Sequence, residues 1–384
     1  RSRYPPPQPH YLMCFIFWNI RGFSHAGRRT QLKDFIRNKA IDVVGLQETI
    51  KAEFSHRDLL AIDPLERFAW HWVPAVGHSR GLLLGNSHVC CEVVAWDAGR
   101  FFVSAHVRHR ATLREWEVIM VYGPADHSHS HEFLGELQEK VAALGVRNLP
   151  LIVGGDFNLI RSGADKNNRI INWTRVSMFN NAIASMALRE VARVGARYTW
   201  TNKQLTPVRS VLDRVFMSAE WEMLFPMCSL HAETRIGSDH VPLILSSGEE
   251  RLKRSPRFFF ETAWFESPDF EQLFLSKWET CVARIGHTRG PMEFWIAAGA
   301  GMRAALKGWG ANQGCEDKLL RSHLTVDLAR MDAIADAQGF SEQDWAQRYA
   351  LEAQVESLLR AEEEYWRRHS RVTRTLSIFM PTLM

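Results

Sequence analysis

The chain has 384 residues, of which 46% are apolar and 23% are charged, and its formal net charge at neutral pH is +4. These are ordinary values of a globular protein, and the length suggests about two or three domains. No stretch reaches the about 18 apolar residues that a membrane span needs, so no membrane span is expected, and the six cysteines lack the spacing of a zinc site.

Composition divides the chain into four segments. Residues 1–11 contain three consecutive prolines and no apolar core of a signal peptide, so we predict a disordered N-terminal segment. Residues 12–246 carry the strand and helix patterns of one folded domain. Residues 247–268 include a basic stretch broken by Pro256, which is typical of a linker. Residues 269–384 have apolar side chains at helical spacing almost throughout, which predicts a mainly α-helical segment.

The folded domain begins with a predicted strand, a helix and a second strand. The apolar run Phe15–Trp18 predicts a strand that ends in Asn19, and residues 28–38 have one apolar face, which predicts a helix. The run Ile41–Leu46 predicts the next strand, just before Glu48. Because such a unit is a crossover between parallel strands, both strand ends are expected on one side of the sheet.

Short β-rich runs between residues 70 and 121 predict antiparallel strands, the last of which ends at Tyr122. A helical pattern then precedes the apolar run Leu151–Val153. This run indicates a buried strand that stops at two glycines and presents Asp156 and Asn158. At a sheet edge, this carboxylate and this amide can face one ligand and hold a water and a phosphate oxygen. A plain Gly-Asp turn is the alternative interpretation.

The remaining patterns complete the fold prediction. We predict a helix over 176–191, a hairpin formed by 195–202 and 208–217, and a closing strand over 243–245. Mixed strands that alternate with helices indicate an α/β fold. The predicted architecture is a four-layered α/β sandwich, with two mixed β-sheets flanked by helices, followed by the mainly α-helical segment.

Six short motifs occur in order along residues 12–246: Trp18-Asn19, Gln47-Glu48, Val121-Tyr122-Gly123-Pro124, Gly155-Asp156-Phe157-Asn158, Leu212-Asp213-Arg214 and Ser238-Asp239-His240. As a set they resemble the endonuclease/exonuclease/phosphatase (DNase I-like) family. Three stretches are most similar to the endonuclease domain of plant non-LTR (LINE-type) retrotransposons: 18–22, 198–202 and 212–215. The resemblance implies the sandwich fold and a DNA endonuclease that nicks one strand, leaving a 3′-hydroxyl that primes reverse transcription.

Glu48 and Asn19 are the predicted metal ligands. A carboxylate suits Mg²⁺, which keeps several waters and needs few protein oxygens, and an amide can hydrogen-bond beside the same ion. The resemblance implies that both residues bind the metal, with Mg²⁺ as the expected ion and Mn²⁺ as the alternative. Without the other motifs, Glu48 would be interpreted as an exposed acid at a strand end.

Asp239 next to His240 predicts an orienting pair, in which the carboxylate fixes the imidazole tautomer and favours its charged form. The resemblance implies that His240 contacts the scissile phosphate. It also implies that Asp156 positions or deprotonates the attacking water and that Asn158 binds a phosphate oxygen.

Three further candidates have competing interpretations. The resemblance places Asp213 at the catalytic site, although beside Arg214 it could form a plain ion pair. Tyr122 is expected to contact phosphate, or else to pack beside Pro124. Thr199 matches a DNA-contacting position of retroelement nucleases, and a simple strand-forming threonine is the alternative.

The sequence leaves three functions to compare. The first is a magnesium-dependent DNA endonuclease that contacts the phosphate backbone and works in the nucleus, where its substrate is. The second is a phosphodiesterase or phosphatase of the same fold that acts on abasic DNA, RNA, inositol lipids or sphingolipids. The third is a catalytically inert retroelement remnant. Residues 363–371 resemble the segment ahead of a reverse transcriptase and no polymerase motif follows. We therefore expect a truncated element, whose helical segment would pack on the missing reverse transcriptase.

Overall fold

A computed structural model describes residues 13–76, 79–248, 264, 269–285, 290–312 and 315–376. These residues form two compact units. The first contains the described residues up to 248 together with Leu324–Leu359, and the second contains the other described residues. The predicted segment 1–11 lies outside the described residues, as does most of the predicted linker. The domain boundaries predicted at 246 and 269 stay predictions.

The strands of the described residues are, in chain order, β1 (Cys14–Asn19), β2 (Val43–Gln47), β3 (Phe68–Val76), β4 (Ser79–Ser87), β5 (Cys91–Ala98), β6 (Phe102–His109), β7 (Glu115–Tyr122), β8 (Leu151–Asp156), β9 (Arg189–Glu190), β10 (Arg193–Gly195), β11 (Trp200–Thr201), β12 (Arg209–Ser210), β13 (Asp213–Met217), β14 (Ser229–Ala232) and β15 (Leu243–Ser246). The helices are α1 (Arg28–Asn38), α2 (His56–Ile62), α3 (Ser130–Gly145), α4 (Trp173–Ser185), α5 (Ala219–Leu224), α6 (Phe270–Ile285), α7 (Pro291–Asn312), α8 (Cys315–Gln338) and α9 (Glu342–Leu376). None of the described helices combines the length and the apolar character that crossing a membrane requires.

The strands form two large sheets and a small ribbon. The first sheet has the order β10-β14-β15-β1-β2-β4-β3, the second has the order β5-β6-β7-β8-β13-β9, and the ribbon pairs β11 with β12. β1 and β2 are parallel, with α1 between them in the chain, which confirms the predicted crossover. The pairs β3–β4, β5–β6 and β6–β7 are antiparallel, as predicted.

Alternation of side chains along the strands separates the layers. In β1, Phe15 and Phe17 lie in a core that the two sheets share, whereas Ile16 and Trp18 pack with residues of α1 and α2. The outer face of the second sheet packs on α3 and α4. Because successive side chains of a strand point to opposite faces, each sheet is covered on both sides. The order helix, sheet, sheet, helix confirms the predicted four-layered α/β sandwich.

Two predicted elements differ from the structure. The helix predicted over 176–191 ends at Ser185, because Ala187 adopts a left-handed backbone with φ of 51°. The chain then continues as β9. The predicted hairpin exists only as the β11–β12 ribbon, since β13 pairs instead with β8 and β9 in the second sheet. Val215 and Phe216 are fully buried there, so burial in the sandwich decides the pairing of β13.

The mainly α-helical character of the last segment is confirmed by α6 to α9. In the second unit, Trp264 and Phe270 pack with Met302 and Leu306. In the first unit, the described helical residues 324–359 pack on the sandwich, where an apolar cluster surrounds Ile236 and contains Leu324, Leu328, Val355 and Leu359. Arg209 and Asp336 form an ion pair of 2.7 Å at the same surface.

A buried charge cluster centred on Glu352 reinforces this packing. The carboxylate accepts hydrogen bonds from Arg235 Nη1 at 3.0 Å and from Lys203 Nζ at 2.9 Å, and it also pairs with Arg348. Burial alone raises the pKa of Glu352, but attraction to Arg235, Arg348 and Lys203 outweighs burial and lowers the pKa to about 2. The folded protein therefore binds a proton at Glu352 less readily than the unfolded chain does.

This depressed pKa predicts a loss of stability in acid. The contribution of ionised Glu352 is complete above its ordinary pKa of 4.5 and disappears as the pH falls through about 2. The difference corresponds to about 3 kcal/mol. We expect the free energies of unfolding of the wild type and Glu352→Gln, measured in urea, to converge by about this amount between pH 6 and pH 2. A difference between them that stays constant over this range would contradict the assignment.

Candidate functional site

The carboxyl ends of four strands and the start of a fifth meet at one edge of the sandwich. The register of β1 and β2 places Asn19 opposite Gln47, which precedes Glu48. In the second sheet, Tyr122 of β7 and Asp213 of β13 are both paired with Asp156 of β8. The structure therefore brings together predicted residues that are far apart in the chain, through strand pairing within each sheet and packing of the two sheets on each other.

A glycine places β8 close to its neighbour at this edge. Gly155 has φ of 142°, and a Cβ atom there would lie 2.2 Å from the carbonyl oxygen of Val121. The missing side chain therefore permits the close approach of β7 and β8 just before Asp156. Glu48 and Asn158 have left-handed backbones with φ of 50° and 52°, a conformation that costs free energy in residues other than glycine. Such strain often occurs at functional sites.

His240 lies between two buried carboxylates. Its Nδ1 atom is 2.9 Å from Asp213 Oδ2, and its Nε2 atom is 3.7 Å from Asp156 Oδ2. The sequence-based prediction that Asp239 orients His240 is therefore wrong, because Asp213 occupies that position. The two neighbouring side chains point in different directions: Asp239 accepts a hydrogen bond from Trp200 Nε1 at 3.2 Å.

The carboxylates set the protonation state of His240. Burial by itself lowers the pKa of His240, but attraction to Asp213 and then to Asp156 outweighs burial, so the net shift is upward. The imidazole is therefore a cation that donates Nδ1–H to Asp213. Burial raises the pKa of Asp156, which is fully buried and close to Asp213, whereas the charge of His240 opposes this shift.

Asn19 connects Glu48 to Asp156, and so to the carboxylates around His240. The amide nitrogen Nδ2 of Asn19 donates to Glu48 Oε1 and to Asp156 Oδ2, both at 3.0 Å. Tyr122 donates its hydroxyl proton to Glu48 Oε1 at 2.9 Å. Burial and the neighbouring Glu48 carboxylate raise the pKa of Tyr122, so its phenol stays protonated and remains a donor. Tyr122 thus contacts a predicted metal ligand directly.

Asn158 lies beside this array. Its backbone N–H donates to Asp156 Oδ1 at 2.9 Å, and its side-chain Nδ2 donates to the carbonyl oxygen of Gly123 at 2.8 Å. These bonds fix the amide next to Asp156. The predicted phosphate-binding role of Asn158 stays a prediction.

Thr199 is placed differently from its prediction. The residue is fully buried, and its hydroxyl oxygen accepts hydrogen bonds from the backbone N–H groups of Leu212 and Asp213 at 2.9 and 3.0 Å. Thr199 therefore holds the start of β13 and with it the partner of His240. The hydroxyl oxygen is thus turned to the backbone of β13, which is not the DNA contact that the resemblance implied for Thr199.

Two residues of the site carried no predicted role. Arg21 lies between two site carboxylates, with Nη1 at 3.2 Å from Glu48 Oε2 and Nε at 3.5 Å from Asp239 Oδ2. Ser238 donates its hydroxyl to the carbonyl oxygen of Asn19 at 2.7 Å and accepts from the backbone N–H of His240 at 3.1 Å. Arg21 and Ser238 both lie in the short motifs that resemble the family. Their positions in the chain, two residues from Asn19 and from His240, are the signal that could have identified them.

The donor set fits a small divalent cation. Glu48, Asp156 and His240 offer ligand atoms that all lie within 4.8 Å of one another. Because His240 is protonated, it has no free lone pair, so the oxygens of Glu48 and Asp156 remain as ligands. Asn19 presents its amide nitrogen to both carboxylates, and its oxygen, which accepts from the backbone N–H of Arg21 at 3.2 Å, becomes a ligand only when the amide turns over. Glu48, Asp156 and Asp213 are buried acids, and His240 and Arg21 can neutralise only two of the three. This excess of buried negative charge and the all-oxygen donor set suit a magnesium-like ion.

Comparison with known proteins agrees with this geometry. Residues 16–240 match the Endonuclease/Exonuclease/phosphatase family, which is more than half of the chain. No curated protein matches the chain.

Several solved structures are similar. AP endonuclease LMAP from Leishmania major is 14% identical, covers 63% of this chain and 90% of its own, and has a TM-score of 0.51. The endonuclease domain of TRAS1, a telomere-specific non-LTR retrotransposon, is 14% identical over 63% of this chain and 100% of its own, with a TM-score of 0.49. TDP2 from C. elegans is 17% identical over 62% of this chain and 75% of its own, with a TM-score of 0.43. At such low identity, the likeness to LMAP shows the fold alone. The family match and the assembled motifs together show that the chain belongs to the endonuclease/exonuclease/phosphatase family.

Proposed function

We propose that this chain is a divalent-metal-dependent DNA endonuclease that hydrolyses one phosphodiester bond in a duplex strand. Family membership supports phosphoester hydrolysis. The observation that carries the proposal is the buried array in which His240 lies between Asp213 and Asp156, with Asn19 joining Asp156 to Glu48. Such an array provides a fixed cation and several carboxylates at one point, which phosphodiester hydrolysis requires.

His240 is the proposed phosphate-binding cation. Asp213 holds Nδ1–H and with it the plane of the ring, and Nε2 lies 3.7 Å from Asp156, beyond hydrogen-bond distance, so Nε2–H remains available to a non-bridging phosphate oxygen. A donor fixed in this way stabilises the negative charge that develops on phosphate in the transition state. Asp213 and Asp156 keep the imidazole protonated near neutral pH, because they raise its pKa.

Asp156 is the proposed base, and Asn158 is the proposed second phosphate ligand. The raised pKa of Asp156 makes its carboxylate a better proton acceptor than an exposed aspartate. It would take one proton from water as the oxygen attacks phosphorus and the bond to the 3′ oxygen breaks. The 3′ oxygen then takes up a proton, which leaves a 3′-hydroxyl and a 5′-phosphate. Asn158, fixed by its bond to Gly123, would donate to a phosphate oxygen.

Glu48, Asp156 and Asn19 would hold the divalent ion, with Mg²⁺ as the proposed species and Mn²⁺ as the alternative. When bound, such an ion neutralises charge on the phosphate and lowers the pKa of a coordinated water. Tyr122 and Arg21 contribute by holding the Glu48 carboxylate at 2.9 and 3.2 Å, and Arg21, whose side chain is 53% exposed, can move aside.

Two cations in a segment that follows a site strand favour a polyanionic substrate over a small phosphate ester. His127 follows the strand that ends at Tyr122, whereas Lys166 and Arg175 follow the strand that ends at Asp156, with Arg175 in the first turn of α4. Burial lowers the pKa of His127, and the nearby positive charges of Arg175 and Lys166 lower it further. Lys166 and Arg175 thus both lie close to the neutral side chain of His127. Phosphate contacts of this kind supply most of the affinity of proteins for DNA.

These two cations predict a measurable salt dependence. In the double variant Lys166→Gln, Arg175→Gln, we expect the slope of log affinity for duplex DNA against log salt concentration to become shallower by about 2, since each lost phosphate contact removes about 0.9. Binding titrations at several salt concentrations measure this slope. The exposed Arg330→Gln, on α8, is the matched control and should keep the wild-type slope. Equal slopes in the double variant and the wild type would contradict a phosphate contact here.

The finer part of the proposal is a retroelement endonuclease that works in the nucleus. It is supported by the similarity of residues 18–22, 198–202 and 212–215 to plant non-LTR retrotransposons. In that setting the nick would prime reverse transcription, and the helical segment would connect to a reverse transcriptase.

Relaxation of supercoiled plasmid by the purified chain tests the proposal. We expect nicking with Mg²⁺, none with EDTA and a severe loss in His240→Ala, whereas the exposed His88→Ala should nick like the wild type. Absence of nicking by a folded wild-type chain would reject the DNA endonuclease. In that case RNA, abasic DNA and phosphorylated lipids are the substrates to assay next, and turnover of none of them would identify an inert remnant.

A further inference from the structure

We propose that Glu352, on α9, is a positioning residue for the active site: it holds the loop 235–238, from which His240 follows directly. This inference rests on the proposed function of His240. It gives the described helical residues 324–359 a role in turnover, in addition to their packing on the sandwich.

Glu352 binds the backbone of the loop as well as its side chains. Oε1 accepts a hydrogen bond from the backbone N–H of Gly237 at 2.7 Å. Arg235 Nη1 donates to both carboxylate oxygens at 3.0 Å. Lys203 Nζ donates to Glu352 Oε1 at 2.9 Å and to the carbonyl oxygen of Gly237 at 2.5 Å. Both polar groups of the Gly237 backbone are thus bound within this one cluster, so the position of Glu352 sets the position of Gly237.

The loop adopts a conformation that needs such support. Gly237 has φ of 78°, and a Cβ atom there would overlap the guanidinium of Arg28 and lie 2.7 Å from Glu356 Oε1. The loop is therefore enclosed between α1 and α9. Arg348, which is fully buried, donates to the carbonyl oxygen of Arg235 at 2.7 Å and fixes the start of the loop.

Ser238 connects the loop to the catalytic groups. It follows Gly237, its hydroxyl donates to the carbonyl oxygen of Asn19, and the same oxygen accepts from the backbone N–H of His240. A displacement of Gly237 therefore reaches a proposed metal ligand and the proposed phosphate-binding cation together. Misplacement of reacting groups by about 1 Å can reduce a rate by about 100-fold, even when the altered residue is remote from the chemistry.

The test compares two chemically identical changes on α9. Glu352→Gln keeps the size of the side chain and removes its charge, and Glu342→Gln makes the same change at an exposed position. Under saturating magnesium, at a temperature where circular dichroism shows both variants folded, we expect Glu352→Gln to lower kcat for plasmid nicking by about 10- to 100-fold, with KM changed less than about 2-fold. Glu342→Gln should match the wild type.

A second readout does not require activity. The Nδ1 proton of His240, bonded to Asp213, should give a downfield proton resonance that is absent from His240→Ala. We expect this resonance to shift or broaden in Glu352→Gln and to stay unchanged in Glu342→Gln.

The two readouts separate the possible failures. An unchanged kcat in folded Glu352→Gln, or a fall in kcat no larger than the loss of folded protein, overturns the positioning role. If the wild type nicks no DNA, the proposed function fails, and the His240 resonance alone decides: a change in Glu352→Gln supports positioning, and an unchanged resonance overturns it.

Discussion

Replacing Asp156 by Asn is expected to lower kcat for plasmid nicking by about 10²- to 10⁴-fold, the range that a general base contributes. The substitution keeps the size of the side chain and removes the basic carboxylate. Asp156 is fully buried, its Oδ2 atom accepts from Asn19 at 3.0 Å, and it lies 3.7 Å from His240 Nε2. Removal of its charge therefore affects the proton acceptor, a proposed metal ligand and the partner of His240 at once.

The measurement is the initial rate of nicking at saturating DNA and magnesium, for protein that is folded by circular dichroism. Asp97→Asn is the matched control, because Asp97 is a half-exposed aspartate of β5 whose partner is Lys140. We expect wild-type turnover in this control. A fall of less than about 10-fold in Asp156→Asn would remove Asp156 from the role of base.

Glu48→Gln is expected to abolish stabilisation of the protein by magnesium. An ion present at about 100 times its Kd stabilises the state that binds it by about 2.7 kcal/mol, which raises the melting temperature of a domain of this size by about 5–10 °C. Glu48 is one of the two carboxylates proposed to hold the ion, and glutamine in its place lacks the charge that attracts a hard cation. Turnover should be lost together with the stabilisation.

Thermal melts with magnesium and with EDTA measure this effect without any substrate. Glu53→Gln, at an exposed position a few residues along the chain, is the control and should retain the full magnesium shift. A magnesium shift of wild-type size in Glu48→Gln would place the ion elsewhere.

The sequence predicts the sandwich and most of the candidate site because these depend on local patterns. The strand, helix and strand that carry Asn19 and Glu48 have clear periodicity, and the crossover rule places both strand ends on one side. The parallel pairing of β1 with β2 agrees with that expectation. The apolar run that ends at Asp156 predicts a buried strand equally clearly.

The partner of His240 could not be predicted in this way. Asp239 is adjacent in the chain, but consecutive side chains in extended backbone point to opposite sides, so adjacency counts against a shared role. Asp213 is close to His240 because β13 pairs with β8 in a register that places Asp213 opposite Asp156. That pairing depends on the burial of Val215 and Phe216 in the sandwich. The predicted hairpin did not take this burial into account.

The packing of the helical residues 324–359 on the sandwich also could not be predicted from the sequence. Arg348 and Glu352 are spaced four residues apart, which is typical of an exposed ion pair on a helix surface. In the structure both are buried, and their partners include Arg235 and Lys203 of the sandwich. Long-range charge pairing of this kind leaves no periodic signal in the sequence.

The strand ends at each nick test the proposed hydrolysis most directly. Plasmid nicked by the wild-type chain with Mg²⁺ is incubated with a DNA ligase that requires a 3′-hydroxyl and a 5′-phosphate. We predict that the ligase reseals the nicks without prior treatment of the ends, because the proposed reaction breaks the bond between phosphorus and the 3′ oxygen. Ends that resist ligation, or plasmid that stays supercoiled in the presence of folded protein and magnesium, would contradict the account.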